Sequence, residues 1–398
     1  MSSIILSMMC IYIDYESVEI LFKRTAISLF YKLKKRTNKS FIMQHASGNF
    51  AAELIQTAKD IVAPGKGILA ADESTGTIGK RFDTISVENN LDNRIAYRTL
   101  LFDAPEIEQH ISGVIMYDET ARGKTADGRG FCEVLRARGI HCGIKVDAGL
   151  VEIGGTDGET ATTGLDGLGK RCAEYYALGC RFAKWRAVLK IGNGCPSQTA
   201  IQEVAHGLAR YGSICQQNGL VPIIEPEILQ DGDHSIEVCA EVSERVLSAV
   251  MLAMFNQRLL IEGCLLKPNM VSPGQAHATR ATAGEVAMYT VRTLSRTMVP
   301  ALPGVTFLSG GSSEEDASLF LSAMNKIANI PRPWSLTFSY GRALQTSVLK
   351  AWSGSADNVA AAQAVLLVSC KRNGDASLGK YEGGTGAKES DFVANYKY

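Results

Sequence analysis

The stretch LVPIIEPEIL, residues 220–229, carries the pattern that decides the fold. It begins with apolar residues and becomes polar near its end, where Glu225 and Glu227 stand two positions apart. Side chains at this spacing lie on the same face of a strand, so both carboxylates face one side and Pro226 faces the other. We therefore predict a buried β-strand whose carboxyl end carries part of a chemical site.

Seven further runs follow the same design and alternate with longer helical stretches. The eight runs are GILAADES (67–74), SGVIMYDE (112–119), HCGIKVDAG (141–149), CRFAKWR (180–186), LVPIIEPEIL (220–229), GCLLKPNMV (263–271), GVTFLSGG (304–311) and WSLTFSYGR (334–342). The segments 166–178 and 199–218 have apolar residues at helical spacing. Eight strands that alternate with helices predict an α/β fold, a closed (β/α)8 TIM barrel. A doubly wound open sheet is the alternative, although no GxGxxG motif follows the first run.

Composition excludes several classes of function. The chain of 398 residues has 41 basic and 41 acidic side chains, so no overall basic charge indicates a nucleic-acid partner. Its ten cysteines form no CxxC pair, which is typical of reduced thiols in a reducing compartment. Its six histidines show no HxxxH spacing, which disfavours a metal site. We therefore expect neither a metal nor a nucleic-acid partner.

The two ends of the chain differ from the middle. The apolar run at 4–13 is shorter than the roughly 20 residues that span a bilayer, and it lacks the flanks of a signal peptide. A basic segment at 23–39 leaves a transit peptide as an alternative. We expect residues 1–49 to be a poorly ordered extension, with Met43 as an alternative start, and no membrane partner. We expect 50–373 to form the barrel and the Gly-rich stretch 374–398 to be a flexible tail.

Three lysines stand near the ends of three runs: Lys145 in GIKVD, Lys184 in FAKWR and Lys267 in LLKPN. A buried amine changes its pKa readily and can attack a carbonyl carbon. In a barrel the carboxyl ends of the strands form the catalytic face, so we expect the three amines to converge there. Asp147 and Arg186 follow two of them at the i+2 spacing and point to the same side. Nothing in the residues alone selects the nucleophile among the three lysines.

Two Gly-containing loops predict a phosphate site. SGGSSE (309–314) follows the seventh run and opens a helix, and SYGR (339–342) ends the eighth run. Glycines let an anion approach backbone N–H groups, and helix N-termini favour negative charge. Barrels often bind phosphate after strands seven and eight, and the Arg342 guanidinium suits phosphate oxygens.

The segment DESTG (72–76) has two interpretations. Asp, Ser and Thr favour the N-cap of a helix. The same segment also places Asp72 towards the barrel centre while Ser74 and Thr77 offer hydroxyls to an anion at the rim. With Lys145 across the mouth, this predicts a second anion site and thus a carbonyl substrate with two phosphates.

These residues together resemble a known family. The segments that carry the resemblance are GKGILAADESTGTIGKRF, GIKVD, FAKWRAVLKIG, PIIEPEILQDGDH, LLKPNMVSPG, FLSGG, WSLTFSYGRALQ and the terminal NYKY. They resemble class I fructose-1,6-bisphosphate aldolases, and plant cytosolic forms most, from about Phe50 to Tyr398. The resemblance implies a lyase of glycolysis and gluconeogenesis that cleaves fructose 1,6-bisphosphate reversibly to dihydroxyacetone phosphate and glyceraldehyde 3-phosphate. It implies a lysine Schiff base without a metal or other cofactor, in a cytoplasmic homotetramer.

The resemblance also implies a role for each site residue. Lys267 matches the Schiff-base lysine, Glu225 the acid–base group that helps the carbinolamine to lose water, and Asp72 the group that assists C–C cleavage at the C4 hydroxyl. The supporting charge network comprises Lys184, Glu227 and Arg186. Tyr398, at the end of a tail that reaches the active site, matches a tyrosine that transfers a proton at C3. The C1-phosphate site comprises Ser309, Gly310, Gly341 and Arg342, and the second phosphate region comprises Ser74, Thr77, Arg81 and Lys145.

Four positions depart from the family pattern: Thr77, Asp118, Ala148 and Ser312. None of them removes a reactive group. Three other functions remain as alternatives: a transaldolase-like imine enzyme, a scaffold that has lost activity, and a metal-dependent aldolase. The paired phosphate loops disfavour the first, the presence of Lys267, Glu225 and Asp72 the second, and the sparse histidines the third.

Overall fold

Eight parallel strands close into a barrel in a computed structural model that describes residues 45–394. This part of the chain has ten strands, and all but β4 and β5 belong to the barrel: β1 (Gly67–Ala71), β2 (Ile111–Met116), β3 (His141–Lys145), β4 (Leu150–Glu152), β5 (Thr160–Thr162), β6 (Cys180–Leu189), β7 (Val221–Ile228), β8 (Leu265–Leu266), β9 (Gly304–Phe307) and β10 (Ser335–Tyr340). Around the barrel the order is β1-β10-β9-β8-β7-β6-β3-β2. The prediction of a closed (β/α)8 barrel is confirmed, and the open sheet is wrong.

Helices surround the barrel. They are α1 (Ala51–Ile61), α2 (Thr75–Asp83), α3 (Leu91–Phe102), α4 (Asp118–Arg122), α5 (Phe131–Ala137), α6 (Leu168–Leu178), α7 (Gln198–Gln217), α8 (Ile236–Asn256), α9 (Ala283–Thr297), α10 (Glu314–Lys326), α11 (Arg342–Trp352) and α12 (Val359–Ser377). Short 3-10 helices lie at Gly48–Phe50, Ile107–Gln109, Ile261–Gly263 and Ala356–Asn358. The predicted helices at 166–178 and 199–218 correspond to α6 and α7. Within residues 45–394, no helix combines the length and the apolar character that crossing a membrane requires.

Alternating side chains divide the core into two layers. Inside the barrel, Phe182 is fully buried, and a Cβ atom added to Gly143 would lie 2.2 Å from its ring. The missing side chain on β3 thus makes room for the ring from β6. On the outer face, Trp185 stacks on Tyr211 of α7 with ring centroids 5.3 Å apart, so it faces the helices as the i+2 pattern predicts.

Helix α1 covers the amino end of the barrel. Its apolar residues Leu54, Ala58 and Ile61 belong to the same buried cluster as Ile68 and Val221 of the barrel interior. Because this end is packed with apolar side chains, polar groups can collect only at the other end, where the strands terminate.

Three local features were not predicted. An antiparallel hairpin pairs β4 with β5 after the third barrel strand, outside the barrel. Strand β8 has only two residues. Beyond it, Lys267 N donates to Ile224 O (2.8 Å) and Pro268 O accepts from Leu308 N (3.1 Å), but Pro268 supplies no N–H group that would continue the ladder. Helix α12 runs to Ser377 and so crosses the predicted barrel boundary at 373.

Candidate active site

The strand register brings the predicted charges together at the mouth of the barrel. Lys145 of β3 stands opposite Lys184 of β6, and Arg186 stands opposite Glu225 of β7. Lys267 directly follows β8, which pairs with β7. The expected convergence of the three lysines therefore follows from neighbouring strands of one parallel barrel.

A chain of alternating charges occupies the centre of the site. Lys184 Nζ lies 2.9 Å from Asp72 Oδ2 and 3.6 Å from Glu225 Oε2. Lys267 Nζ lies 3.2 Å from the other oxygen of Glu225, Oε1. All four residues are at most 3% exposed. Charged groups so far from water must be paired, and here the side chains of two lysines and two acidic residues lie in alternation.

The Asp72 carboxyl is held in its ionised form. Burial raises its pKa, but the charges of Lys184 and Lys267 and the hydrogen bond from Lys184 outweigh burial, so the pKa falls from 3.8 to about 2. Burial likewise raises the pKa of Glu227, and Arg186 more than compensates, so that pKa lies below its usual value. The Arg186–Glu227 contact measures 2.5 Å between Nε and Oε2.

Lys145 lies beside this charged cluster and contacts Asp147, which follows it two positions later at the end of the same strand. Its Nζ atom lies 2.5 Å from Asp147 Oδ1 and 3.1 Å from the Asp147 carbonyl oxygen. Lys145 is only 8% exposed, so its ammonium group is held near the rim of the mouth rather than in solvent.

The predicted C1-phosphate residues line one cleft together with Lys267. Gly310 and Gly311 have φ values of +59° and +105°, a backbone conformation that favours glycine. The loop ends at Ser313, which caps α10 by accepting a hydrogen bond from Asp316 N at 3.0 Å. Helix α11 starts at Arg342, directly after Gly341. The N-terminus of α11 thus lies at the rim of this cleft, where it favours an anion.

The predicted second phosphate region lies at the start of α2. The Ser74 hydroxyl caps this helix by accepting from Thr77 N at 3.3 Å, which confirms the N-cap interpretation. The two hydroxyls of Ser74 and Thr77 are 2.9 Å apart. Arg81 lines the cleft, and its guanidinium lies 2.5 Å from Glu73 Oε1.

Sequence reasoning missed two residues that support the site. Glu73 is buried between Arg81 and Arg98, whose guanidinium groups lie 2.5 and 2.7 Å from its oxygens. Burial raises the pKa of Glu73, but the two arginines lower it below its usual value. This pair of contacts fixes the backbone next to Asp72. The only sequence signal for Glu73 is that it directly follows another acidic residue, Asp72, at the end of a strand.

Ser339 is the second missed residue. It is 1% exposed and lines the cleft, and its hydroxyl has no hydrogen-bond partner among residues 45–394. The signal that would have found it is the alternation in β10, because Phe338 and Tyr340 pack in the outer core and leave Ser339 to face inward. Tyr398 lies outside the described residues, so its role stays a prediction.

The fold and the buried lysine–carboxylate site define a barrel enzyme suited to imine chemistry. The family model for class-I fructose-bisphosphate aldolase matches residues 53–398. Fructose-bisphosphate aldolase 5, cytosolic, of Arabidopsis thaliana is 58% identical over 355 residues, 88% of this chain and 99% of the relative. The cytoplasmic isozyme of Spinacia oleracea is 59% identical over 354 residues, which cover 88% of this chain and 99% of that isozyme.

A solved structure of the Plasmodium falciparum aldolase, in complex with TRAP and a small-molecule inhibitor, is 55% identical in sequence. It matches with a TM-score of 0.83 and covers 84% of this chain and 97% of that one. The chain belongs to the class-I fructose-bisphosphate aldolase family. The predictions of family, fold and metal-independent Schiff-base class are thereby confirmed.

Proposed function

We propose that Lys267 is the Schiff-base nucleophile with which this class-I aldolase cleaves fructose 1,6-bisphosphate to dihydroxyacetone phosphate and glyceraldehyde 3-phosphate. One observation carries the choice among the three lysines. Lys267 lines the cleft next to Glu225, whereas Lys184 has no exposed surface and Lys145 contacts Asp147. Of the three amines, Lys267 is the one that lines the cleft beside the proposed C1-phosphate residues.

Glu225 is well placed to move protons during imine formation. Its Oε1 atom lies 3.2 Å from Lys267 Nζ, and its Oε2 atom accepts no hydrogen bond from any residue between 45 and 394. In our proposal the Glu225 carboxylate first takes a proton from Lys267, and the resulting neutral amine attacks the C2 carbonyl carbon. A proton then passes from the nitrogen to the alkoxide oxygen, which forms the carbinolamine. Glu225 then protonates the departing hydroxyl, so that water leaves and the iminium forms.

Asp72 supports the next step because it is ionised at neutral pH. In our proposal its carboxylate accepts the proton of the C4 hydroxyl as the C3–C4 bond breaks. The electron pair of that bond moves into the iminium, which becomes an enamine, and glyceraldehyde 3-phosphate leaves. A proton then adds at C3, the step we propose for Tyr398, and hydrolysis of the imine releases dihydroxyacetone phosphate and regenerates Lys267. The charges of Lys184, Arg186 and Glu227 hold this arrangement in place.

The phosphates explain why the cleft has cationic rims. We propose that one phosphate binds Arg342 and the backbone at Gly310 and Gly341, with Ser309 beside it. The second binds across the mouth at a group of residues that share hydroxyl or cationic side chains, namely Ser74, Thr77, Arg81 and Lys145. Both groups lie near helix N-termini, which supports anion binding there.

Reduction with borohydride in the presence of dihydroxyacetone phosphate tests the nucleophile. We expect a stable adduct on the peptide that contains Lys267, and none after Lys267→Ala. Lys371→Ala is the matched control because that lysine is 64% exposed on α12 and lies apart from the cleft residues. An adduct on Lys184, or normal turnover by Lys267→Ala, would contradict the assignment.

We infer that the enzyme forms a homotetramer. The exposed apolar side chains Leu252 (61%) and Phe255 (50%) on α8 support a subunit interface. Light scattering coupled to gel filtration measures the assembly, and a mass near one chain would refute it.

We also propose a cytoplasmic location, in line with the names of the Arabidopsis and spinach relatives. A fluorescent fusion would test it, with an organellar signal as the contrary result. The division into an extension (1–49), a barrel (50–373) and a tail (374–398) remains part of this proposal. Deletion of residues 2–44 should leave turnover intact, and its loss would refute a dispensable extension.

A further inference from the structure

Glu315 binds the tail of the chain with both of its carboxylate oxygens. It is the second residue of α10 and is 6% exposed. Its Oε2 atom accepts from Tyr381 Oη at 2.5 Å and from Gly386 N at 2.7 Å, and its Oε1 atom accepts from Gly384 N at 2.6 Å. Its own backbone N–H donates to Ala387 O at 3.1 Å. Residues 381–387 therefore wrap around a single carboxylate.

The glycines of this segment are fitted to that contact. Gly383 and Gly384 have φ values of +108° and +98°, which turn the chain around the carboxylate. A Cβ atom at Gly386 would lie 2.6 Å from Glu315 N and 2.7 Å from its Cα atom, so only glycine fits without movement. The segment EGGTG (382–386) is thus shaped by the acid that it encloses.

From this anchor the chain runs directly to the cleft. We call residues 381–391 the strap. Ser390 Oγ donates to Gly311 O at 3.0 Å, and the Arg342 guanidinium donates to Asp391 O. A Cβ atom at Gly311 would lie 2.8 Å from Phe392 Cα, so the chain passes in close contact with the phosphate loop. Gly311 adjoins Gly310, which lines the cleft as Arg342 does.

We propose that Glu315 is a positioning residue for the last proton transfer: it fastens the strap to α10 beside the phosphate loop. The end of the chain then starts from a fixed point at the cleft. This rests on the proposed role of Tyr398. Four residues separate Ala394 from the chain end, and four extended residues span at most about 14 Å. A loosened strap therefore lowers the fraction of time in which Tyr398 reaches C3. Glu315 itself does not line the cleft and acts only through the tail.

The hydrogen bonds explain the strength of the anchor. Burial raises the pKa of Glu315, but the donors at Tyr381, Gly384 and Gly386 lower it below the usual value, so the carboxylate is ionised at neutral pH. Hydrogen bonds to an ionised acceptor are about twice as strong as neutral ones. The substitution Glu315→Gln removes the charge and turns an NH2 group towards N–H donors.

The test separates proton transfer from imine formation. Glu315→Gln should reduce the exchange of the C3 proton of dihydroxyacetone phosphate with deuterated solvent about tenfold, as expected when the competent state becomes about ten times rarer. The yield of borohydride trapping on Lys267 and the KM for fructose 1,6-bisphosphate should stay within about twofold of the values for the unsubstituted enzyme. Tryptic cleavage after Lys388 should become faster. The matched control is Glu389→Gln, an 82% exposed strap carboxylate that contacts Lys350, and it should leave exchange unchanged.

Tyr381→Phe provides a second variant that removes one donor and keeps Glu315. It should lower exchange in the same direction by a smaller factor, and it tests the proposal even if Glu315→Gln fails to fold. Normal exchange in both variants, with or without faster tryptic cleavage, would overturn the inference. A fall in trapping as large as the fall in exchange would also overturn it, because the role would then be structural. Failure of the original enzyme to form any Lys267 adduct would instead sink the proposed function.

Discussion

The buried carboxylate Asp72 makes the stability of this enzyme depend on pH in a way that can be measured. Its pKa falls from 3.8 to about 2 in the folded chain. One pKa unit corresponds to about 1.4 kcal/mol, so the ionised group contributes about 2.5 kcal/mol to the free energy of unfolding at neutral pH. Asp72→Asn removes this contribution while it keeps the shape of the side chain.

The sign of the pH dependence follows from a lowered pKa. The contribution is fully present above the unfolded value of 3.8 and is lost as the pH falls through the folded value of about 2. The difference in unfolding free energy between Asp72→Asn and the original chain should therefore be nearly constant from pH 8 to 5. It should shrink to about half near pH 3.

Differential scanning calorimetry at a fixed protein concentration checks this expectation. An unfolding entropy of about 2.1 cal/mol/K per residue, taken over residues 45–394, converts 2.5 kcal/mol into a fall in Tm of about 3 °C at pH 7. The control is Asp157→Asn, a 75% exposed carboxylate 3.9 Å from Lys190, which should shift Tm by less than about 1 °C. Equal shifts for the two variants, or a shift for Asp72→Asn that persists undiminished at pH 3, would refute the reasoning.

Three further outcomes are expected. Arg342→Lys should raise the KM for fructose 1,6-bisphosphate about tenfold with a smaller change in kcat, since lysine loses the forked contact to phosphate. Steady-state kinetics measures both constants, with Arg296→Lys, a 56% exposed arginine, as the control. A fall in kcat as large as the rise in KM would contradict this expectation. Turnover should be unchanged after dialysis against a chelator, because the nucleophile is an amine, and a loss restored by divalent metal would contradict the mechanism. Trp185→Ala should lower the unfolding free energy by about 3–5 kcal/mol, because the ring is buried and stacked on Tyr211. Denaturant titration measures this free energy, and a decrease of less than about 1 kcal/mol would contradict the expectation.

Local patterns were enough to predict the barrel and the direction in which its site opens. Each run shows both an apolar stretch and a polar end. Two-residue spacing alone assigns Glu225 and Glu227 to the inner face of their strand and Trp185 to the outer face of its own strand. Because parallel strands end at the same edge, convergence of Lys145, Lys184 and Lys267 follows without knowledge of any loop.

What could not be predicted depends on contacts between distant parts of the chain. Glu73 pairs with Arg98, 25 positions further on, and with the Gln345 amide, 272 positions further on. No periodicity encodes such pairs. The choice of Lys267 likewise depends on which amine the cleft exposes, which is a property of the assembled mouth.

The tail shows the same limit. A Gly-rich composition predicts flexibility for 374–398, yet EGGTG is fitted around Glu315, about 70 positions earlier in the chain. Glycine is favoured both in flexible linkers and in tightly packed turns, because both use φ values that other residues rarely adopt. Only the buried acid on another helix distinguishes the two.

The strap also has a practical consequence for handling this enzyme. The described chain begins at the amino end of the barrel, where α1 is packed, and its tail passes the catalytic mouth at Gly311 and Arg342. A purification tag or fluorescent protein fused to the carboxyl terminus would therefore be joined a few residues after a segment that contacts the phosphate loop. The placement of a tag can thus change the measured kinetics, and activity comparisons between preparations should use the same attachment.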